Sequence, residues 1–211
     1  MKYPWLILLS IATAGLIVLG FFAIQLTPVR APREAADAVV PLTQPSATFV
    51  NPSRGPASAP VTIVAFGDFQ CAACAQLAQA LDQVLADRPD VRVVWKDAPD
   101  EASHPFSSLA AVAAHCADRQ GRFWEYHDRL FARQAFLSEG TFVPLAREIG
   151  LDEASFTACF DGKETLPIVR KDFDEARALS LTAIPTMFIG GTRVEGAPSL
   201  EELIRYVDQA K

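Results

Sequence analysis

Three rhythms of apolar and polar residues run along this chain. Val61, Ile63, Val64 and Phe66 form a β-branched and aromatic run that reads as a buried strand, and Gly67-Asp68 reads as a turn after it. From Ala75 to Ala86 the apolar positions Leu77, Ala78, Leu81, Val84 and Leu85 fall on one helical face. Pro89-Asp90 ends that helix, and Val91–Trp95 alternates like a second strand. Strand, helix, strand implies parallel pairing through a crossover. His104-Pro105 then opens a long helical region. Its expected helices cover Phe106–Arg119, Phe123–Phe131, Thr141–Ile149, Glu153–Phe160 and Lys171–Leu181, with Gly150 and Gly162 as stops. A last apolar strand begins at Pro185, Gly190-Gly191 makes a hairpin turn, and Thr192–Glu195 is the return strand. Ser199 N-caps a final helix with Glu202 three residues on, the spacing of a capping box. Thr48, Phe49 and Val50 read as a short edge strand.

The N-terminal part has a different pattern. Trp5–Leu26 is 22 residues without a charge. A helix of that length is about 33 Å long at about 1.5 Å per residue, enough to cross a hydrocarbon core. Ala12-Thr13-Ala14 has the form of a signal-peptidase site, but Leu16–Leu26 stays apolar beyond it. A cleaved leader has an apolar region of only about 7–15 residues. Residues 1–26 are therefore expected to be an uncleaved signal anchor and transmembrane helix. Lys2 on one side and Arg30 and Arg33 on the other leave its orientation undecided by charge. Residues 27–46 are rich in proline and alanine and read as a stand-off linker, about 60 Å long if extended. The globular domain is expected over 47–211, with an all-helical insert at about 104–181.

The formal net charge is −6, and no basic patch points to nucleic acid. The four cysteines carry the chemistry. Cys71-Ala72-Ala73-Cys74 sits between a strand and the start of a helix. The free N–H groups and dipole of a first helical turn favour a thiolate over a thiol. Cys71 is thus read as the exposed, attacking sulfur and Cys74 as the resolving one. Cys116 and Cys159 are either buried thiols acting as small hydrophobes or a structural disulfide in an exported protein. Such a bridge closes a 44-residue ring, worth about 4 kcal/mol in the chain-entropy model, and the Cys71–Cys74 ring about half that. Disulfides persist only in an oxidising compartment, which puts the C-terminal bulk outside the cytoplasm. His115 and His127 with the cysteines lack a second C-x-x-C or an H-x₃₋₅-H pair, so no metal site is expected. No Ser/His/Asp arrangement or phosphate loop stands out, and no cofactor is expected.

The stretches VTIVAFGDFQCAAC, GRFWEYHDRLF and AIPTMFIGG together resemble the DsbA-like thiol–disulfide oxidoreductases over about Pro60–Lys211. The resemblance implies an α/β thioredoxin fold, β-α-β plus β-β-α, with a helical insert between the halves. It implies a cis Pro185 and a substrate chain pairing with the backbone of Ile184, Pro185 and Thr186 beside Cys71. Some relatives carry an extra bridge in the insert, which favours a Cys116–Cys159 disulfide. Two departures bear on the chemistry. Alanines stand between the cysteines where the family often has Pro and His, which predicts a less acidic Cys71 and a more reducing couple. Ala65, six residues before Cys71, stands where relatives place a buried acid, leaving proton movement to Asp68, another acid or water.

The expected function is thiol–disulfide exchange on proteins outside the cytoplasm. The domain would be tethered to the cell membrane on its periplasmic side, near a quinone-linked reoxidising partner. Expected substrates are protein or peptide thiols and disulfides. A reductase or isomerase, an anchored Cu(I) chaperone using the C-x-x-C, and a purely structural adaptor stay open as alternatives.

Overall fold

A computed structural model describes residues 42–211. Five strands are β1 (Ser53–Arg54), β2 (Val61–Gly67), β3 (Val91–Asp97), β4 (Thr186–Ile189) and β5 (Thr192–Glu195). Seven helices are α1 (Ala72–Asp87), α2 (Ser107–Asp118), α3 (Phe123–Ala132), α4 (Phe142–Glu148), α5 (Glu153–Asp161), α6 (Leu166–Ala178) and α7 (Leu200–Gln209). The sheet order is β1-β3-β2-β4-β5. β2 and β3 run parallel with Val61 opposite Val91, as a helical crossover requires; the other pairs are antiparallel.

β2 is apolar along both faces because it is covered on both. Ile63 and Ala65 pack with Leu77, Leu81, Leu203 and Val207 of α1 and α7. Val64 and Phe66 pack with Val94, Phe188, Ala176 and Leu179 on the α6 side. The insert α2–α5 has its own core, in which the alanines of α2 let Tyr126, Leu130, Phe142 and Phe156 approach closely. Trp95 joins sheet to insert: it stacks on Phe69 and meets His127 and Phe131. Gly67 is needed beneath it, because a Cβ there would overlap the indole ring. Gly190 and Gly191 both take positive φ in the β4–β5 turn.

Three details depart from the sequence reading. The edge strand is Ser53–Arg54, not Thr48–Val50. Asn51 Oδ1 accepts from the amide and hydroxyl of Thr48 and folds that stretch into a turn, leaving Phe49 99% exposed. α6 begins at Leu166, well before Lys171, because Pro167 lies in its first turn, where a missing N–H costs nothing. Residues 42–46, assigned to the linker, lie against the domain. Leu42 N donates to Ala178 O at 3.0 Å, Gln44 Nε2 donates to Gly191 O at 2.8 Å, and the Ser46 amide donates to Glu175. The expected anchor and the rest of the linker fall outside the described residues. Among the described residues, no helix is long and apolar enough to cross a membrane.

Candidate active site

The parallel crossover brings the end of β2 to the start of α1, and Cys71 is the N-cap there. Its Sγ accepts from the backbone N–H of Cys74 at 3.2 Å, as a Ser or Asp cap would. The thiol is held at about 6, against an ordinary 9.0. The main cause is the hydrogen bond with the Cys74 side chain; the amides of Cys74 and Ala73 add to it, while burial and the charge of Asp68 oppose it. Cys71 is not the exposed sulfur expected: as the N-cap under the Ile184 carbonyl it is buried, with 7% of its surface open. Cys74 is deeper still at 1%, and burial drives its thiol far above the usual range. One sulfur is thus a thiolate at neutral pH, and the other keeps its proton.

The Ile184–Pro185 peptide is cis, and Ile184 O lies 3.8 Å from Cys71 Sγ. Thr182 and Ala183 are exposed and Ile184 half-buried, so a solvent-facing segment leads to the residue whose carbonyl meets the sulfur. Thr186 is not part of that surface. It is fully buried between Phe66 of β2 and Glu195 of β5, and its hydroxyl donates to Ala183 O. Pro185 O is also occupied, by Gly196 N at 2.8 Å. Of Ile184, Pro185 and Thr186, Ile184 alone is thus open to solvent, next to the exposed Thr182 and Ala183. Cys116 and Cys159 stand apart, joined by a disulfide between α2 and α5 inside the insert.

Asp68 is buried in the loop before Cys71. Its carboxylate accepts from Gln70 N at 2.7 Å and Asp100 N at 2.9 Å, and pairs with His104 Nδ1 at 2.9 Å. Gln134 holds the same loop from the insert, donating to Phe69 O at 2.8 Å and Cys71 O at 2.9 Å. Nothing in the sequence around Gln134 marks it for this.

A buried charge cluster lies further down β3. Lys96 Nζ, fully buried, meets Asp172 at 2.9 Å and Glu175 at 2.7 Å. Asp97 receives Trp95 Nε1 and pairs with His115 Nε2 at 2.7 Å. Burial pushes His115 down, but the Asp97 charge and hydrogen bond outweigh it and leave the ring more basic than usual. Asp97, His115 and Asp172 come within 4.8 Å of one another, the spacing of metal ligands. The Lys96 ammonium already supplies the cation there, so the donor set does not fit a metal. A lysine in the apolar strand Val91–Asp97 was the available signal for this cluster. Position 65 is a buried alanine, so no acid stands there to approach Cys74.

A mixed five-stranded sheet with a dithiol at a helix N-terminus and a cis-proline facing it defines a thioredoxin-fold protein. A family model described as Thioredoxin matches residues 48–209, and the chain belongs to that family. Among solved structures it is similar to the thiol-disulfide exchange protein alpha-DsbA2 of Wolbachia pipientis, with a TM-score of 0.70 and 22% identity over 77% of this chain and 88% of that one. It is similar to a thioredoxin-like oxidoreductase of Silicibacter pomeroyi, with a TM-score of 0.68 and 25% identity over 77% of this chain and 93% of the other. A curated protein, the Na(+)/H(+) antiporter NhaA 1 of Salinispora arenicola, is 34% identical over 191 residues, 89% of this chain. The chain spans only 29% of that relative's length.

Proposed function

We propose that this protein is a thiol–disulfide oxidoreductase acting on proteins or peptides outside the cytoplasm, with Cys71 as the exchanging sulfur and Cys74 as the resolving one. The observation that carries the reading is Cys71 itself: an N-cap sulfur held as a thiolate, 3.8 Å from the carbonyl of an accessible segment. In the oxidising direction a substrate thiolate attacks Cys71 Sγ of the Cys71–Cys74 disulfide. The S–S bond breaks, its electron pair goes to Cys74, and burial makes Cys74 take a proton. A second substrate thiolate attacks the substrate sulfur of the mixed disulfide and expels Cys71 as a thiolate. Two substrate thiols become one disulfide, and the enzyme gains two electrons. In reverse, the Cys71 thiolate attacks a substrate disulfide and Cys74 completes the reduction.

A Cys71 value of about 6 falls between about 7 for thioredoxin and about 3.5 for DsbA. A less stabilised thiolate goes with a more reducing couple, so the potential should lie between about −270 and −120 mV. The Cys116–Cys159 disulfide supports an oxidising compartment. In this reading residues 1–26 anchor the domain to the membrane, where a quinone-linked protein reoxidises it. The antiporter activity in the relatives' name belongs to much longer proteins and forms no part of this proposal.

The test equilibrates the full chain with glutathione and traps partners in cells through a Cys74→Ala variant. Client proteins disulfide-bonded to Cys71, with a potential in the stated window, are the expected result. Failure to exchange with glutathione, together with tight Cu(I) binding, would replace this function by copper carriage.

A further inference from the structure

A groove of about 810 Å³ runs along α6 and ends at Ile184, whose carbonyl faces Cys71. Its floor is apolar, with Val169 and Ala176 buried and Phe173 39% exposed. Lys163, Arg170 and Arg177 rim it, seven residues apart in sequence and all exposed. None of the three joins an ion pair among the described residues. The chain carries 25 Asp+Glu against 19 Lys+Arg, and Arg54, Arg88, Arg119, Arg122, Arg133, Arg147, Arg193 and Arg205 all have acidic partners, whereas among the described residues Arg92, Arg129 and Lys171 share the lack of one with the three rim residues.

We propose that this groove holds the extended segment flanking the substrate's reactive cysteine, and that it selects segments carrying acidic side chains among apolar ones. The inference rests on the redox reading of Cys71 and names its substrate class. Two observations support it. The Lys163, Arg170 and Arg177 charges share one sign and have no ion-pair partner among the described residues, so an acidic chain would complete them at little desolvation cost. The groove is also continuous with the backbone beside the sulfur, so a chain seated in it is already led to Cys71. Arg170 and Arg177 are about 10.5 Å apart along the helix axis, the reach of about three residues of extended chain. Acidic residues two or four positions apart lie on one face of such a segment, about 7 or 13 Å from each other, and the long arginine side chains can reach both. Asp100 and Glu101 line the groove from the loop before α2 and would repel acidic groups there, which orients the segment with its acids toward α6.

The test uses the full chain in mild detergent and two peptides of one sequence, with aspartates or lysines around the cysteine. Each peptide is presented as its mixed disulfide with mercaptoethanol, and neutral hydroxyethyl disulfide is the control. At low salt the acidic peptide should react with Cys71 about tenfold faster than the basic one, and salt should erode the difference. In the K163E/R170E/R177E variant the preference should vanish or reverse while the hydroxyethyl disulfide rate stays unchanged. A milder R170Q/R177Q variant guards against misfolding and should lose most of the preference. Equal rates for both peptides with the natural protein, or an unchanged ratio in either variant, overturns the proposal while leaving the redox reading intact. No reaction with hydroxyethyl disulfide overturns both. Cross-links into the groove from residues 27–41 of the same chain, or self-association through Arg170 and Arg177, would also overturn it by giving the groove another occupant.

Discussion

Gln134 donates one side-chain nitrogen to two carbonyls of the redox loop, Phe69 O at 2.8 Å and Cys71 O at 2.9 Å. The helical insert thereby fixes the backbone that aims the reactive sulfur. Gln134→Ala leaves both acceptors without that donor, at a cost of about 1–3 kcal/mol. The loop should also loosen, so that the Cys74 N–H no longer tracks Cys71 Sγ. The expected result is a melting point several degrees lower and a Cys71 midpoint moved up from about 6. Gln134→Glu should be worse than Gln134→Ala, since it sets a carboxylate against two carbonyl oxygens. Thermal unfolding and thiolate absorbance check both.

Cys71 links pH to stability in the reduced protein. Its folded value, about 6, is depressed below the ordinary 9.0. The stabilisation is therefore fully present above 9.0 and is lost as pH falls through about 6. Compared with Cys71→Ser, the reduced protein should gain stability with rising pH between those values. Cys74→Ala removes the largest cause of the depression and keeps the backbone N–H. Its Cys71 midpoint should rise yet stay below 9.0. Alkylation rate against pH reads the shift, and only Cys71 should be alkylated in the folded natural protein.

What the sequence revealed follows the range of the interactions. The C-x-x-C, the Gly190-Gly191 turn and the Ser199–Glu202 capping box are local chemistry, visible in a few neighbouring residues. The parallel strand pair followed from apolar runs separated by a helix. The supports of the site were hidden because their partners are far apart in the chain: Gln134 is 63 residues from Cys71, and Lys96 is 76 from Asp172. Phe49 and Val50 carried a strand's composition, but Asn51 folded them into a turn that leaves Phe49 outward. The sequence pattern predicts the helix over Leu166–Ala178 only from Lys171, because the place of Pro167 in a first turn shows only in three dimensions.

The disulfide should serve stability without touching the chemistry. Cys116 and Cys159 are both buried and tie α2 to α5 with a sequence separation of 43. Replacing both by alanine should cost about 4 kcal/mol by ring entropy. For a domain of this size that lowers the melting point by about 8–16 °C. The Cys71 titration should stay at about 6, because none of the groups that set it lies in the bridge. Calorimetry and alkylation of the same double variant separate the two effects.

Lys96 should be the most costly single polar side chain to remove. Its ammonium is fully buried between Asp172 and Glu175, at 2.9 and 2.7 Å. Lys96→Met leaves two buried carboxylates facing each other, a loss of about 3–5 kcal/mol. Burial, then the charge of Asp97, already hold Asp172 above the usual carboxylate range, and removing Lys96 raises it further. A carboxyl raised in the folded state binds its proton more tightly there than in the unfolded chain. The variant should therefore regain stability as pH falls and lose it as pH rises through that raised value. Urea unfolding at mildly acid and mildly basic pH should show the deficit shrinking on the acid side. Adding Asp172→Asn keeps an acceptor for Asn51 Nδ2 and for the Asp97 amide while deleting one charge. The double variant should then recover part of the loss, with a positive coupling between the two sites. An equal deficit at both pH values would mean that the space around Lys96, not its charge, is what the fold requires.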